Sequence, residues 1–282
     1  MKKIFIIACL TLCFCLSGFA PAAAQGIKTG KFEYGLKAGL GLTKMPDNKT
    51  GTTLYYEESA DPISGELLYD WISAEDKAAM GFCFGAVGIY HLNGSFALQA
   101  EVIFTRKGVE VDHSGSDADT EYKYVLSHTD KIKLNYLEIP VLVKYRIPVG
   151  ESYAPSVYLG GALGVKLSAK YDADYAYDVY DLEDNYLGRI SRVGEPDIDN
   201  IKSTDFSLVF GGEVGIDIGS RKLLFDLRYT LGLTELFDDV NVDDIPRGFE
   251  EFPDEYPIVN TLDGKAPSMK NSSLTISVGF LF

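Results

Sequence analysis

The closing stretch Ser272-Ser273-Leu274-Thr275-Ile276-Ser277-Val278-Gly279-Phe280-Leu281-Phe282 alternates Leu274, Ile276, Val278, Phe280 and Phe282 with Ser273, Thr275, Ser277 and Gly279. Successive side chains of a β-strand point to opposite faces, so this segment shows one face to an apolar phase and the other to water or a polar interior. The same two-residue period recurs along the chain. It predicts strands at about Phe32–Thr43, Met80–His91, Phe96–Lys107, Lys131–Ile147, Ser156–Ala169, Asp205–Ile218 and Lys222–Thr234, with the closing stretch as the eighth.

Short connections at 92–95, 147–155 and 219–221 alternate with long ones at 44–77, 110–130, 170–202 and 235–265. Asn93-Gly94 in the first short connection is a hairpin signal. A pairing of Thr52–Glu57 with a neighbour would raise the count to ten.

At the other end, Lys2 and Lys3 precede an apolar run from Ile4 to Leu16 and then Ala22-Ala23-Ala24. This is the pattern of a secretory signal, predicted to occupy residues 1–24 with cleavage before Gln25. A lipid-attachment reading at Cys9 would leave an apolar core of only Ile4 to Ala8. Cys9, Cys13 and Cys15 would leave with the signal, so residues 25–282 keep Cys83 alone, which excludes an internal disulfide and a cysteine-built zinc site. Those residues carry 24 bases against 41 acids, a net charge of −17. The four long connections hold 33 of the acids and 10 of the bases, which separates an acidic environment from strands that are net positive. It also excludes nucleic acid as a partner of the acidic part.

Export, alternating apolar faces and alternating short and long connections together predict an all-β, eight-stranded antiparallel up-and-down transmembrane β-barrel with long extracellular loops. Bacterial barrels of this kind have an even strand number, short periplasmic turns and longer outer loops. The expected location is therefore the cell outer membrane, with outer-membrane lipid around the barrel, both termini periplasmic and the acidic stretches outside. Closure follows from the backbone, because an unpaired N–H or C=O in hydrocarbon costs several kcal/mol. Phe280 and Phe282 are expected to form a C-terminal signature through which barrel-assembly machinery takes up the chain.

If the apolar rows face lipid, the opposite parity places Lys37, Glu101, Glu138, Lys144, Arg146, Lys166, Glu213, Asp217, Asp226 and Arg228 inside, five bases and five acids. The reverse orientation would put each cation into lipid at about 2–4 kcal/mol near the midplane. An eight-stranded barrel is just wide enough for its side chains to fill it, so no open pore is expected. Gly35, Gly39, Gly41, Gly160, Gly164, Gly211 and Gly215 make room for the charged neighbours.

GLKAGLGLT (35–43), YLEIPVLVKY (136–145), YLGGALGVKLSAK (158–170), DFSLVFGGEVGID (205–217) and LFDLRYTLGLTEL (224–236) closely resemble the PorT-like outer-membrane β-barrel family. The resemblance covers the strands and none of the four loops. It implies an eight-stranded barrel in the outer membrane, and its founding member takes part in a secretion system that exports proteins. Glu138 and Pro140 in the second segment fall on the inward parity, where they read as setters of barrel shape and charge pairing.

In the third long stretch Tyr175, Tyr177, Asp178, Tyr180 and Asp181 interleave rings with carboxylates and form a candidate partner-binding loop. Such a surface suits a basic protein, a sugar or a divalent cation, and equally a solvated hairpin that extends the barrel. Asp112-His113-Ser114 holds the residue types of a hydrolytic triad, yet adjacent residues rarely reach its geometry. No catalytic residue, cofactor or metal site is assigned. Tyr34, Tyr90, Tyr145 and Tyr229 are candidates for an interfacial belt. Phe249, Phe252 and Tyr256 could fold over the barrel mouth or hold a partner, and envelope or secretion-system proteins are the partners considered.

Overall fold

A computed structural model describes residues 30–44, 73–118, 121–149, 153–194, 198, 200–238 and 269–282. The signal at 1–24, Thr52–Glu57, Trp71, Phe249, Phe252 and Tyr256 lie outside the described residues. The strands are β1 (Phe32–Lys44), β2 (Ser73–His91), β3 (Phe96–Ala118), β4 (Tyr122–Arg146), β5 (Tyr153–Asp181), β6 (Tyr186–Gly194), β7 (Thr204–Ile218), β8 (Arg221–Gly232) and β9 (Ser272–Leu281). Neighbours pair antiparallel in the order β4-β3-β2-β1-β9-β8-β7-β5, and β4 pairs with β5, so eight strands form a closed ring. The first and last meet with Leu36 opposite Phe280 and Leu40 opposite Ile276.

The ring is the predicted barrel, and β6 stands outside it, paired only to the far half of β5. The lipid-facing rows are as the alternation predicts, with Leu36, Leu40, Phe84, Leu159, Leu227 and Ile276 all exposed on the outer surface. A spanning strand needs about 9–11 residues. β1, β8 and β9 have 13, 12 and 10, whereas β3, β4 and β5 have 23, 25 and 29. The surplus of β5 amounts to roughly 60 Å along the strand at about 3.3 Å per residue. That surplus continues past the ring as an open sheet of β2, β3, β4, β5 and β6.

Stretches expected as loops at 110–130 and 170–202 are thus largely strand. They keep the two-residue period but exchange the leucine rows for tyrosine, acids and serine, which removes the hydrophobic signal without removing the ladder. Two bulges mark the change of regime, between Ala78 and Cys83 on β2 and opposite Asn135 and Tyr136 on β5. The second inserts Leu167, so buried side chains pass from Tyr158 and Ala162 to Ala169 and Tyr171. An extra residue of this kind reverses facing and bends the strand.

At the short-turn end, Asn93 Oδ1 accepts hydrogen bonds from the amides of Ser95 at 2.9 Å and Phe96 at 2.8 Å, which closes the β2–β3 hairpin. Gly219 takes a φ of +64° in the β7–β8 turn, where a side chain would be strained.

Candidate functional site

The inward face is layered. At mid-height, Lys37, Lys144 and Arg228 meet Glu101, Glu213 and Asp226, three charges of each sign, all buried. Arg228 grips Glu101 through both terminal nitrogens at 2.7 Å, the fork geometry that favours arginine at such sites. Lys37 lies 2.6 Å from Asp226 and 3.4 Å from Glu101. Lys144 contacts Glu213 and donates to Gln99 at 3.1 Å, and Gln99 donates to Glu101 at 2.5 Å, which joins the two halves. Tyr158 donates to Asp226, and Arg228 Nε approaches the same phenol at 3.3 Å. Contributions from β1, β3, β4, β5, β7 and β8 thus tie opposite walls of the barrel together.

Above this belt Lys107 sits 2.5 Å from Glu138 and 3.8 Å from Asp205. Thr105 donates to Glu138 at 2.7 Å and Asn271 donates to Asp205 at 2.9 Å. Higher still the filling becomes apolar. Val109, Val111, Ile132, Leu134, Tyr136 and Tyr171 from the wall surround Ile198, Ile201, Leu236, Phe237 and Met269 from the connecting segments. Ile201 and Phe237 form a β-bridge, so two connections close over the barrel as a paired lid. Lys166 donates to the carbonyl of Ile201 and anchors that lid instead of pairing with a carboxylate.

The other end is open. A small cleft there is bounded by Glu33, His91, Arg146, Ser156, Glu213 and Lys222 among others. Glu33 takes His91 at 3.0 Å, Lys31 at 2.8 Å and Lys222 at 3.3 Å. Asp217, expected inside, sits at this rim with its side chain 57% exposed, 3.9 Å from Lys222, because its strand has already left the enclosed part of the barrel. Arg146 lines the cleft with no side-chain partner among the described residues.

The predicted set of interior charges omits Lys107, Asp205 and Glu33, although each lies on the inward parity of its strand, Glu33 on the same face as Lys37. Counting parity through to the strand ends would have found all three. Tyr136 and Tyr158, buried inside, carry no charge to attract notice.

The predicted loop motif lies on the protruding hairpin of β5 and β6. Asp178 is 3.8 Å from Arg189, and the rings of Tyr180 and Tyr186 meet edge-on at 5.6 Å. Tyr177 is partly buried, and the backbone of Tyr175 pairs with His128 and Arg192. Asp181 accepts from the amides of Glu183 and Asn185 and from the Asn185 side chain, each at 2.9 Å, so its carboxylate shapes the hairpin tip. Those bonds, the Asn185 side chain first, hold its pKa below the ordinary aspartate range. Asp112, from the histidine motif, is likewise held low by Lys77, with Thr129 donating at 3.0 Å.

Around the short-turn end, Phe32, Tyr34, Phe282 and Phe280 form a chain of rings 5.3–6.4 Å apart, and Phe96 meets Tyr145 at 5.2 Å. Arg221 lies over Phe280 and Phe282. Such a girdle belongs at a membrane–water interface.

The family described as outer membrane protein beta-barrel domain matches residues 23–238. No curated protein matches the chain. Among solved structures, it is similar to Ail, the attachment invasion locus protein of Yersinia pestis, at 12% identity and a TM-score of 0.32, covering 90% of this chain and 100% of that one. The outer membrane protein OprG from Pseudomonas aeruginosa gives 12% identity and a TM-score of 0.40, covering 92% and 98%. At these values the fold rests on the strand pairings above.

Proposed function

The chain belongs to the outer membrane protein beta-barrel domain family, and we propose that within the cell outer membrane it is a closed, non-enzymatic anchor. On this reading its protruding sheet and acidic connections hold a protein, glycan or envelope partner outside the cell. The observation that carries it is the contrast between a filled barrel and an overgrown wall. The interior is occupied by the ionic belt and the apolar lid, while β3, β4 and β5 run to twice the length a membrane needs. The short turns and the first and last described residues, Gly30 and Phe282, share the end with the aromatic girdle, which supports a periplasmic placement of that end.

The test is reconstitution of the purified chain in planar bilayers, followed by crosslinking in intact cells. The expected results are the absence of steady conductance and a crosslinked partner that is lost when residues 172–192 are replaced by a short turn. A stable open channel, or turnover of lipid or peptide, would overturn the reading. The strand resemblance to PorT-like proteins supports a second role in protein secretion. Deletion of the gene with unchanged export of cargo would remove it.

A further inference from the structure

The cleft at the short-turn end is lined by a carboxylate with one unpartnered oxygen and by a guanidinium that meets no carboxylate among the described residues. Glu213 is 3% exposed; one of its oxygens contacts Lys144, and the other, Oε2, has no hydrogen-bond partner. A buried carboxylate oxygen left without a donor is costly. Arg146 is the complementary case, a guanidinium at the same cleft with no carboxylate partner among the described residues.

Register brings the two together. Arg146 is opposite Ser156 on β5, and Ser156 is opposite Glu213 on β7, so the three lie in one row across adjacent strands. With strands about 4.8 Å apart, the cation and the anion stand roughly 10 Å from each other at their backbones with only a serine between. Beside the row, Ile89, Ala97, Leu224 and Leu281 form one buried apolar cluster, with Glu33, His91 and Lys222 completing the rim.

We propose that this vestibule binds an α-amino carboxylate on a short aliphatic stem. Its carboxylate lies on Arg146, its ammonium on Glu213 Oε2, and its stem over Leu224 and Ile89. Ser156 leaves the space between the two ends. A free amino acid and the zwitterionic end of a diamino-acid residue in a cell-wall peptide offer the same group, and the second source rests on the periplasmic placement proposed above.

The probe is norvaline, titrated into the isotope-labelled full chain in lipid nanodiscs and read by amide shifts at Ser156 and Glu213. Saturable shifts are expected with norvaline, and at least ten-fold weaker ones with butyrate, which lacks the ammonium, and butylamine, which lacks the carboxylate. Arg146→Gln should weaken norvaline ten-fold or more. Ser156→Leu, which keeps both charges and fills the gap, should abolish binding while the rest of the spectrum is retained. Equal binding of all three probes, or unaltered norvaline binding by both variants, would overturn the proposal. A diamino-acid peptide that binds ten-fold tighter than norvaline identifies the cell-wall source, and the reverse order identifies the free amino acid. Neither result depends on bilayer conductance or on partner capture, so failure here is distinct from failure of the anchor reading.

Discussion

Substituting Arg228 by methionine removes one of three cations from a belt that is otherwise neutral. Glu101 loses both 2.7 Å bonds of the guanidinium and keeps Lys37 at 3.4 Å and Gln99 at 2.5 Å. Asp226 loses the guanidinium 3.7 Å away and keeps Lys37 at 2.6 Å. The belt then holds three acids against two bases, with Glu101 and Asp226 sharing one ammonium. Stripping one partner from a buried pair costs about 3–5 kcal/mol. With a guanidinium chloride dependence of roughly 2–6 kcal/mol per molar, the unfolding midpoint should fall by on the order of 1 M. The assay is equilibrium unfolding in lipid nanodiscs, followed by circular dichroism.

The companion variant decides the cause. Arg228→Met with Glu101→Met leaves Lys37 and Lys144 facing Asp226 and Glu213, two of each sign. A buried pair replaced by apolar side chains of similar volume is often neutral in stability, so the double variant should recover most of the lost midpoint. Arg228→Lys keeps the charge but not the fork, and should fall between wild type and methionine. A double variant as unstable as the single one would refute charge balance as the organising principle of the interior, since loss of shape alone would then explain both.

Leu40, 63% exposed on the lipid side, should tolerate phenylalanine but lose about 2–4 kcal/mol as arginine, measured by the same unfolding assay. Gly211 faces the phenol of Tyr158 and the backbone of Leu227 so closely that Gly211→Val must displace the tyrosine that braces Arg228, and the unfolding midpoint should fall while Gly212→Ala, whose added carbon would meet only the Ser156 carbonyl oxygen at an ordinary 3.7 Å, changes little. The hairpin tip should respond to acid in one direction. Asp181 has a lowered folded pKa, so its contribution is present above the ordinary aspartate value of 3.8 and is lost as pH falls through the folded value. Amide exchange at Glu183 and Asn185 should therefore stay protected at pH 5 and accelerate only below the usual carboxylate range, and Asp181→Ala should abolish that dependence.

Strand number, the lipid-facing rows and most of the buried charges were legible because a bilayer imposes a strict two-residue code: each inward or outward choice for a charge is worth kilocalories. Lys37, Glu101, Glu213, Asp226 and Arg228 could be assigned on parity alone. Which of them touch could not, since Arg228 and Glu101 lie on strands separated by 127 residues in sequence and meet only across the closed ring. The protruding sheet escaped for the opposite reason. In the protruding part tyrosine and aspartate interrupt the apolar rows, and buried residues such as Tyr124, Ala176 and Val179 are too dispersed among them to stand out in hydropathy, while backbone pairing carries the ladder. The lid escaped because Ile198, Ile201, Leu236 and Phe237 sit in acidic connections whose average polarity hides four apolar residues.

The vertical order of the interior has a common physical basis. Charges occupy the level where the wall is thinnest in side-chain volume, with Gly35, Gly39, Gly211 and Gly279 near Lys37, Arg228 and Tyr158, so long polar chains can cross the lumen and meet partners from the opposite wall. Where the two bulges bend β2 and β5, the walls leave the membrane and chain connections can be drawn inward, and there the filling turns to isoleucine, leucine and phenylalanine. Among the described residues of the short-turn end, 92–95 and 219–220 are hairpin turns too short to fold back. Among the described residues, a cleft bounded by incompletely paired side chains is therefore a consequence of the asymmetry between short and long connections, with the Arg146 guanidinium and Glu213 Oε2 left beside it.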